Sequence, residues 1–238
     1  MKTVIVDSRI GKNERYALEL FGYNPLELPR SKHLGEAVAS HPDTLLFRYK
    51  NEIIASADYC NEAAFVFTEL RERHPSLKIS FSAEKLGRCY PQDAKFNALI
   101  CGGELFCKTD SISKSVLELA KQEGLRVNHV RQGYPACSVL SLGNFAITSD
   151  RGMAHALEAR GIDVTLIREG HIALAPHEYG FIGGASCVFD DTVCFFGDYR
   201  LHPDGNTIDE AVRRAGFIPR SLSSAPLVDL GGAIFLEE

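Results

Sequence analysis

No apolar run in this sequence approaches the ~20 residues that a bilayer-crossing helix needs. The opening MKTVIVDSR holds one lysine and a short apolar stretch, too little for a secretory signal. Paired metal-binding spacings are missing as well, since no CxxC or HxxxH occurs, and nothing else calls for a metal ion or a cofactor. Neither the phosphate-cradling GxxxxGK[ST] nor the dinucleotide GxGxxG is present. Basic excess is lacking too. With 26 Lys and Arg against 31 Asp and Glu and a formal charge of −5, a nucleic-acid grip built on a basic stripe is excluded. The seven cysteines are an odd number without the regular spacing of a secreted disulfide framework. A soluble, cytoplasmic protein with reduced thiols is expected, with no membrane and no nucleic acid among its partners.

What the sequence does have is a repeated grammar. Five apolar runs end on an aspartate: VIVD at Asp7, IIASAD at Asp58, LFCKTD at Asp110, FAITSD at Asp150 and CFFGD at Asp198, about 40 to 50 residues apart. After each aspartate the apolar spacing turns helical, over Tyr16 to Phe21, Glu62 to Arg73, Lys114 to Glu123, Met153 to Arg160 and Ile208 to Ala215. Gly22, Gly124, Gly161 and Gly216 stand where a helix end takes a left-handed residue, and His74-Pro75-Ser76 stops the second helix. A short apolar strand follows each helix. Each unit then closes with a strand that turns back into the next unit through Tyr49–Asn51, Cys101–Gly103, Leu142–Asn144 and Phe189–Asp191. The fifth turn is missing: its outgoing strand, GGAIFLEE, ends the sequence and its return strand, MKTVIVD, begins it. The two should therefore pair and close a ring, making residues 1–238 one domain.

A ring of five ββαβ units closed by its terminal strands resembles the pentein fold, the five-bladed α/β propeller of the guanidino-group-modifying enzymes. The resemblance covers the whole chain. HPDTLLF, YPQDAKFN, YPACS, EGHIAL, YGFIGGAS, GDYRLHPDG and PLVDLGG, in this order, are similar to a bacterial family of that fold with no assigned activity. The resemblance implies a central cavity lined by the segments entering the inner strands and by the loops after the first strands. Those segments carry His41, Asp43, Asp93, Cys137, Gly184, Ser186 and Asp229, and those loops carry Asp7, Asp110, Asp150, Arg151, Asp198 and His202. Carboxylates crowded into one cavity suit a guanidinium or amine, because a forked cation takes two charge-assisted bonds.

Enzymes of this superfamily attack a guanidinium carbon with a cysteine of the last inner strand, helped by a histidine and by acids. Here the glycines of GGAIFLEE place Phe235 at that cysteine's position, and Tyr134 stands near the histidine's. Two cysteines remain as nucleophile candidates: Cys137 in YPACS, and Cys187, which follows Gly183-Gly184 in the fourth unit. The other five read as core. His41 and His202 both precede Pro-Asp, and either is a candidate acid or base beside Cys137, with Asp43 or Asp93 as the carboxylate.

The plainer readings are stated beside these. Asp110 and Asp150 suit helix caps, Asp43 and Asp93 suit proline turns with no helix after them, and Gly183-Gly184 suits a tight corner with Ser186 as a wall. The function expected is binding of a small cationic or guanidino-type metabolite in the central cavity, with hydrolase or amidinotransferase-like activity on C–N bonds. The alternative is a noncatalytic interaction protein of the same fold. Oligomeric state is not legible.

Overall fold

The computed structural model describes residues 2–237. Its architecture is five three-stranded sheets arranged as the blades of a propeller. The first blade contains β1 (Thr3–Asp7), α1 (Lys12–Leu20) and β2 (Asn24–Leu28). A one-turn helix, α2 (Pro42–Leu45), leads into the second blade, β3 (Leu46–Tyr49), β4 (Glu52–Ser56) and β5 (Lys78–Ser82), whose crossover holds α3 (Ala57–Glu62) and α4 (Ala64–Arg73). The third blade is β6 (Leu99–Cys101), β7 (Glu104–Cys107), α5 (Lys114–Gln122) and β8 (Val127–His129). After α6 (Pro135–Ser138) comes the fourth, β9 (Val139–Leu142), β10 (Phe145–Thr148), α7 (Arg151–Glu158) and β11 (Asp163–Leu166). The fifth is β12 (Ser186–Phe189), β13 (Thr192–Phe195), α8 (Gly205–Arg214) and β14 (Ile218–Ser221), and β15 (Ile234–Leu236) returns to the first blade.

Every blade has one pairing scheme. The middle strand runs antiparallel to the inner strand and parallel to the outer one, as in β4 with β3 and β5. A parallel pair needs a crossover, and the amphipathic helix between each middle and outer strand supplies it. The helices follow the 3.6-residue period: α5 buries Val116, Leu119 and Ala120, and α8 buries Ile208, Ala211 and Val212. The helix-ending glycines Gly22, Gly124, Gly161 and Gly216 all have positive φ, as their positions in the sequence require.

The ring is closed. β1 pairs antiparallel with β15, Val4 opposite Phe235 and Ile5 opposite Ile234. Inner strands from all five blades therefore face one axis, where Leu46, Leu99, Val139, Ser186 and Ile234 line a cavity of about 250 Å³. Between blades one and five, Phe235 packs against Tyr23 and Phe189 at centroid distances of 4.7 and 4.9 Å. Among the described residues, no helix is long and apolar enough to cross a membrane.

Local structure departs from the sequence expectation before the inner strands. Asp43 and Asp93 are not in plain turns: each lies in a short helical turn, Pro42–Leu45 and the 3-10 turn Gln92–Ala94. Cys137 likewise sits in α6 rather than in the strand after it. Proline at the first helical position has the right φ and lacks only an N–H that has no intrahelical partner there, so His-Pro-Asp and Tyr-Pro-Ala-Cys both start helices.

Candidate functional site

Four segments, each leading into a different inner strand, meet at one end of the axis. The His41 turn is bound to the last inner strand's entrance, where Asp43 N–H donates to the Gly231 carbonyl at 3.2 Å. The α6 turn is bound to the Gly183-Gly184 corner, Gly184 N–H donating to the Cys137 carbonyl at 3.0 Å. Gly184 has a steric role as well: a Cβ there would lie 1.9 Å from Asp229 Oδ1, so only glycine leaves room for that carboxylate. The GG corner of YGFIGGAS is thus the wall against which Asp229 and the Cys137 turn pack.

Cys137, His41, Asp43 and Asp229 converge there. The Cys137 thiol donates to Asp43 Oδ2 at 2.6 Å and accepts from Asn97 Nδ2 at 3.3 Å. His41 is fully buried, with Nδ1 3.9 Å from both Asp43 Oδ1 and Asp229 Oδ1 and Nε2 3.7 Å from Asp7 Oδ2. Neither ring nitrogen has a hydrogen-bond partner. Asp229 accepts from Gly231 N–H at 3.0 Å and Phe181 N–H at 2.9 Å. Ligand atoms of His41, Asp43 and Cys137 all lie within 4.8 Å of one another, close enough to share a metal ion.

The electrostatics follow from burial. Burial pushes the Cys137 thiol well above its ordinary value, and the Asp43 and Asp229 carboxylates push it further. Burial also raises Asp229 to about 6, with His41 pulling it back and Asp43 adding to the rise. Asp93 is raised by burial and partly offset by Tyr134 beside it, and its Oδ1 has no hydrogen-bond partner.

Cys137, His41, Asp229 and Asp93 line a cavity of about 600 Å³. Its walls combine Tyr134, Tyr179 and Phe181 with the carboxylates of Glu36 and Glu178 and the guanidinium of Arg88. Asp43 stands behind Cys137 and borders the 250 Å³ axial cavity on the far side.

Other residues expected at the site lie elsewhere. His202 is not in this lining: its Nδ1 accepts from Asp204 N–H at 3.0 Å and its ring stands edge-on to His171 at 5.4 Å. Asp7 is buried and already spent on Arg9 and Ser40, and Asp198 is spent on Arg200 and Ser221. In both cases the arginine two residues on bonds the aspartate through its backbone N–H and its guanidinium, so these carboxylates are not open to a ligand.

Asp110 is exposed and paired with Lys108, and Ser113 caps α5 in its place. Asp150 does cap α7, accepting from Gly152 and Met153 N–H at 2.7 and 2.9 Å. With Arg151 it lines a neighbouring cavity reached across Gln132, which donates to Asp150 at 2.6 Å. Ser186 donates to the Ile182 carbonyl at 2.7 Å and faces the axial cavity. Cys187 lies opposite Cys194 in the core, its thiol raised well above the ordinary value by burial. Cys60 and Cys89 are not core: one is half-buried and the other exposed.

Sequence reasoning passed over Asn97, whose side chain joins Cys137 to the backbone N–H of Ala136, and the stretch Leu174–Phe181 that walls the cavity. A signal for the second was available. The connection between β11 and β12 is long and holds no helix or strand of its own, a length at which loops in compact proteins are usually functional.

Residues 5–234 match the profile of a family described as a family of unknown function, DUF6873. The chain belongs to DUF6873. No curated protein sequence matches it. Among solved structures, this DUF6873 member is similar to a dimethylarginine dimethylaminohydrolase adduct with 4-chloro-2-hydroxymethylpyridine, at 9% identity and TM-score 0.59, covering 93% of this chain and 92% of that one. It is similar to SxtG, an amidinotransferase from Microseira wollei, at 14% identity and TM-score 0.54 over 87% of this chain and 72% of that one. A C. jejuni agmatine deiminase matches at 9% identity and TM-score 0.54 over 93% and 86%. The fold of the DUF6873 chain is therefore the pentein propeller.

Proposed function

We propose that the chain binds a small cationic metabolite bearing a guanidino or amine group in the 600 Å³ cavity above Cys137. The observation that carries this reading is the excess of acid on the cavity wall: Glu36, Asp93, Glu178 and Asp229 against Arg88. Asp93 keeps an oxygen unbonded, and aromatic faces at Tyr134 and Tyr179 add cation–π attraction. The structural relatives named for guanidino chemistry support the reading at the level of fold.

Cys137 is the group that would react in a hydrolase or transferase. Its thiol is protonated at rest. A cation seated beside Asp229 offsets the negative field and favours ionisation, and Asp43, in contact with the thiol, takes the proton. Sulfur then bonds to the guanidinium carbon, the C–N bond breaks, and the amine leaves with the proton from Asp43, passed on through His41, whose Nδ1 lies 3.9 Å from Asp43 Oδ1 and which lines the cavity. Water, or an acceptor amine, releases the product and restores the thiol. Phe235 at the usual cysteine position, buried in an aromatic cluster, favours the second reading, a noncatalytic binding or interaction protein.

A thermal-shift panel of arginine, agmatine and neutral citrulline on chelator-treated protein separates these. Saturating cation at 100 times its Kd stabilises by about 2.7 kcal/mol. No response to any cation in a broad amine panel removes the cavity reading.

A further inference from the structure

We infer that Cys137, His41, Asp43 and Asp229 form a binding site for a zinc-type divalent metal ion at the base of the cavity. This goes beyond the cationic-metabolite reading and does not depend on it. Thiolate, imidazole and carboxylate together are the donor set of zinc rather than of magnesium or calcium, which take oxygen alone. Zinc bonds of about 2.0–2.3 Å set the edges of a tetrahedron near 3.3–3.7 Å. His41 Nδ1 stands 3.9 Å from Asp43 Oδ1 and from Asp229 Oδ1, and the ligand atoms of His41, Asp43 and Cys137 lie within 4.8 Å of one another, so side-chain shifts of up to about 1 Å bring the donors to a tetrahedral spacing. The Cys137–Asp43 contact of 2.6 Å lengthens as the thiol proton leaves.

The independent observation is His41 itself. It is wholly buried, both ring nitrogens lack partners, and Nδ1 points between two carboxylates. A buried imidazole is normally hydrogen-bonded. An ion on Nδ1 supplies the missing partner, and Nε2 then carries the proton toward Asp7, 3.7 Å away. Asp7 is held rigid by Arg9 and Ser40, so a movement of the ring by somewhat under about 1 Å would make the carboxylate–histidine–metal arrangement that orients metal-bound histidines.

The remaining ligands are supported in the same way. Asn97 donates to Cys137 sulfur, a bond that favours thiolate, and Asp229 is fixed by two backbone N–H groups. Three of the four ligands face the cavity, which gives the ion an entry path. Binding replaces the S–H bond by a sulfur–metal bond and releases one proton to solvent, with no change of oxidation state.

The test uses full-length protein stripped with a chelator and then dialysed free of it, with cobalt(II) and zinc(II) as the only additives. One equivalent of cobalt should give a thiolate-to-cobalt charge-transfer band that one equivalent of zinc abolishes. Cys137→Ser should lose the band. His41→Ala and Asp229→Asn should weaken zinc at least about 100-fold. His202→Ala, outside the cluster, should leave affinity unchanged. A second readout covers a Cys137→Ser chain that fails to fold: in wild type, zinc should protect Cys137 but not exposed Cys89 from alkylation. Absence of a thiolate band in folded wild type, survival of the band in Cys137→Ser, or equal alkylation of Cys137 with and without zinc overturns the inference. No amine is present in these titrations and no metal in the amine panel, so failure of one reading is distinct from failure of the other.

Discussion

Asp43 and Cys137, 94 residues apart and on segments leading into different blades, meet through a 2.6 Å thiol–carboxylate hydrogen bond at the hub of the propeller. The contact places a proton acceptor against the sulfur, and its charge adds to burial in holding the thiol well above its ordinary pKa. Neither residue has its meaning alone.

Removing that charge should make the thiol more acidic. For Asp43→Asn, the pH profile of Cys137 alkylation in chelator-treated protein is expected to move to lower pH, because one of the two carboxylates opposing ionisation is gone. Mass spectrometry of the labelled peptide reads it directly. A midpoint that stays put or rises would mean that Asp43 does not control the sulfur.

Asp229 gives a pH dependence of stability with a sign unusual for an aspartate. Its pKa is raised by burial to about 6 in the folded protein, above the unfolded value near 3.8, so the native state binds the extra proton between those limits. Stability from this group is full below about pH 4 and is lost as pH climbs through 6, by about 3 kcal/mol. Asp229→Asn cannot titrate. The wild-type-minus-variant stability of metal-free protein, from chemical denaturation, should therefore fall across that window. A difference that is flat or grows with pH would contradict the assignment.

The two aspartates that look alike in sequence should behave differently. Asp150 caps α7 through two N–H groups, and Asp150→Ala should cost about 1 kcal/mol. Asp110 is exposed beside Lys108, and Asp110→Ala should stay within about 0.5 kcal/mol of wild type. Equal losses in paired denaturation curves would show that the cap is not what distinguishes them.

Ring closure predicts a large effect far from the cavity. Phe235 pairs with Val4 and packs on Tyr23 and Phe189, so Phe235→Ala should destabilise by about 3 kcal/mol or more. A loss under about 1 kcal/mol would mean that the β1–β15 seam carries little of the fold's stability.

The propeller was legible because each unit repeats the same order of strand, helix, strand and turn, and the pairing of β1 with β15 continues that order. Legibility faded at the hub. Asp7 and Asp198 read as pocket acids, yet DSR and DYR carry an arginine two residues later that takes both carboxylate oxygens. His202 shares the His-Pro-Asp sequence with His41 and ends in a different environment, because one turn leads into an inner strand and the other into α8. Asn97 carried no local signal: its role arises where two turns from neighbouring segments dock, a relation between surfaces rather than between neighbours in sequence.

Calorimetric titration of metal-free wild type and Asp229→Asn with agmatine, arginine and citrulline tests most directly whether this hub is a receptor for cations. Heat of binding is expected from agmatine or arginine and not from citrulline, with affinity reduced about tenfold or more by the variant, the loss of one charge-assisted contact. Citrulline binding as tightly as the cations, or cation binding untouched by Asp229→Asn, would contradict it.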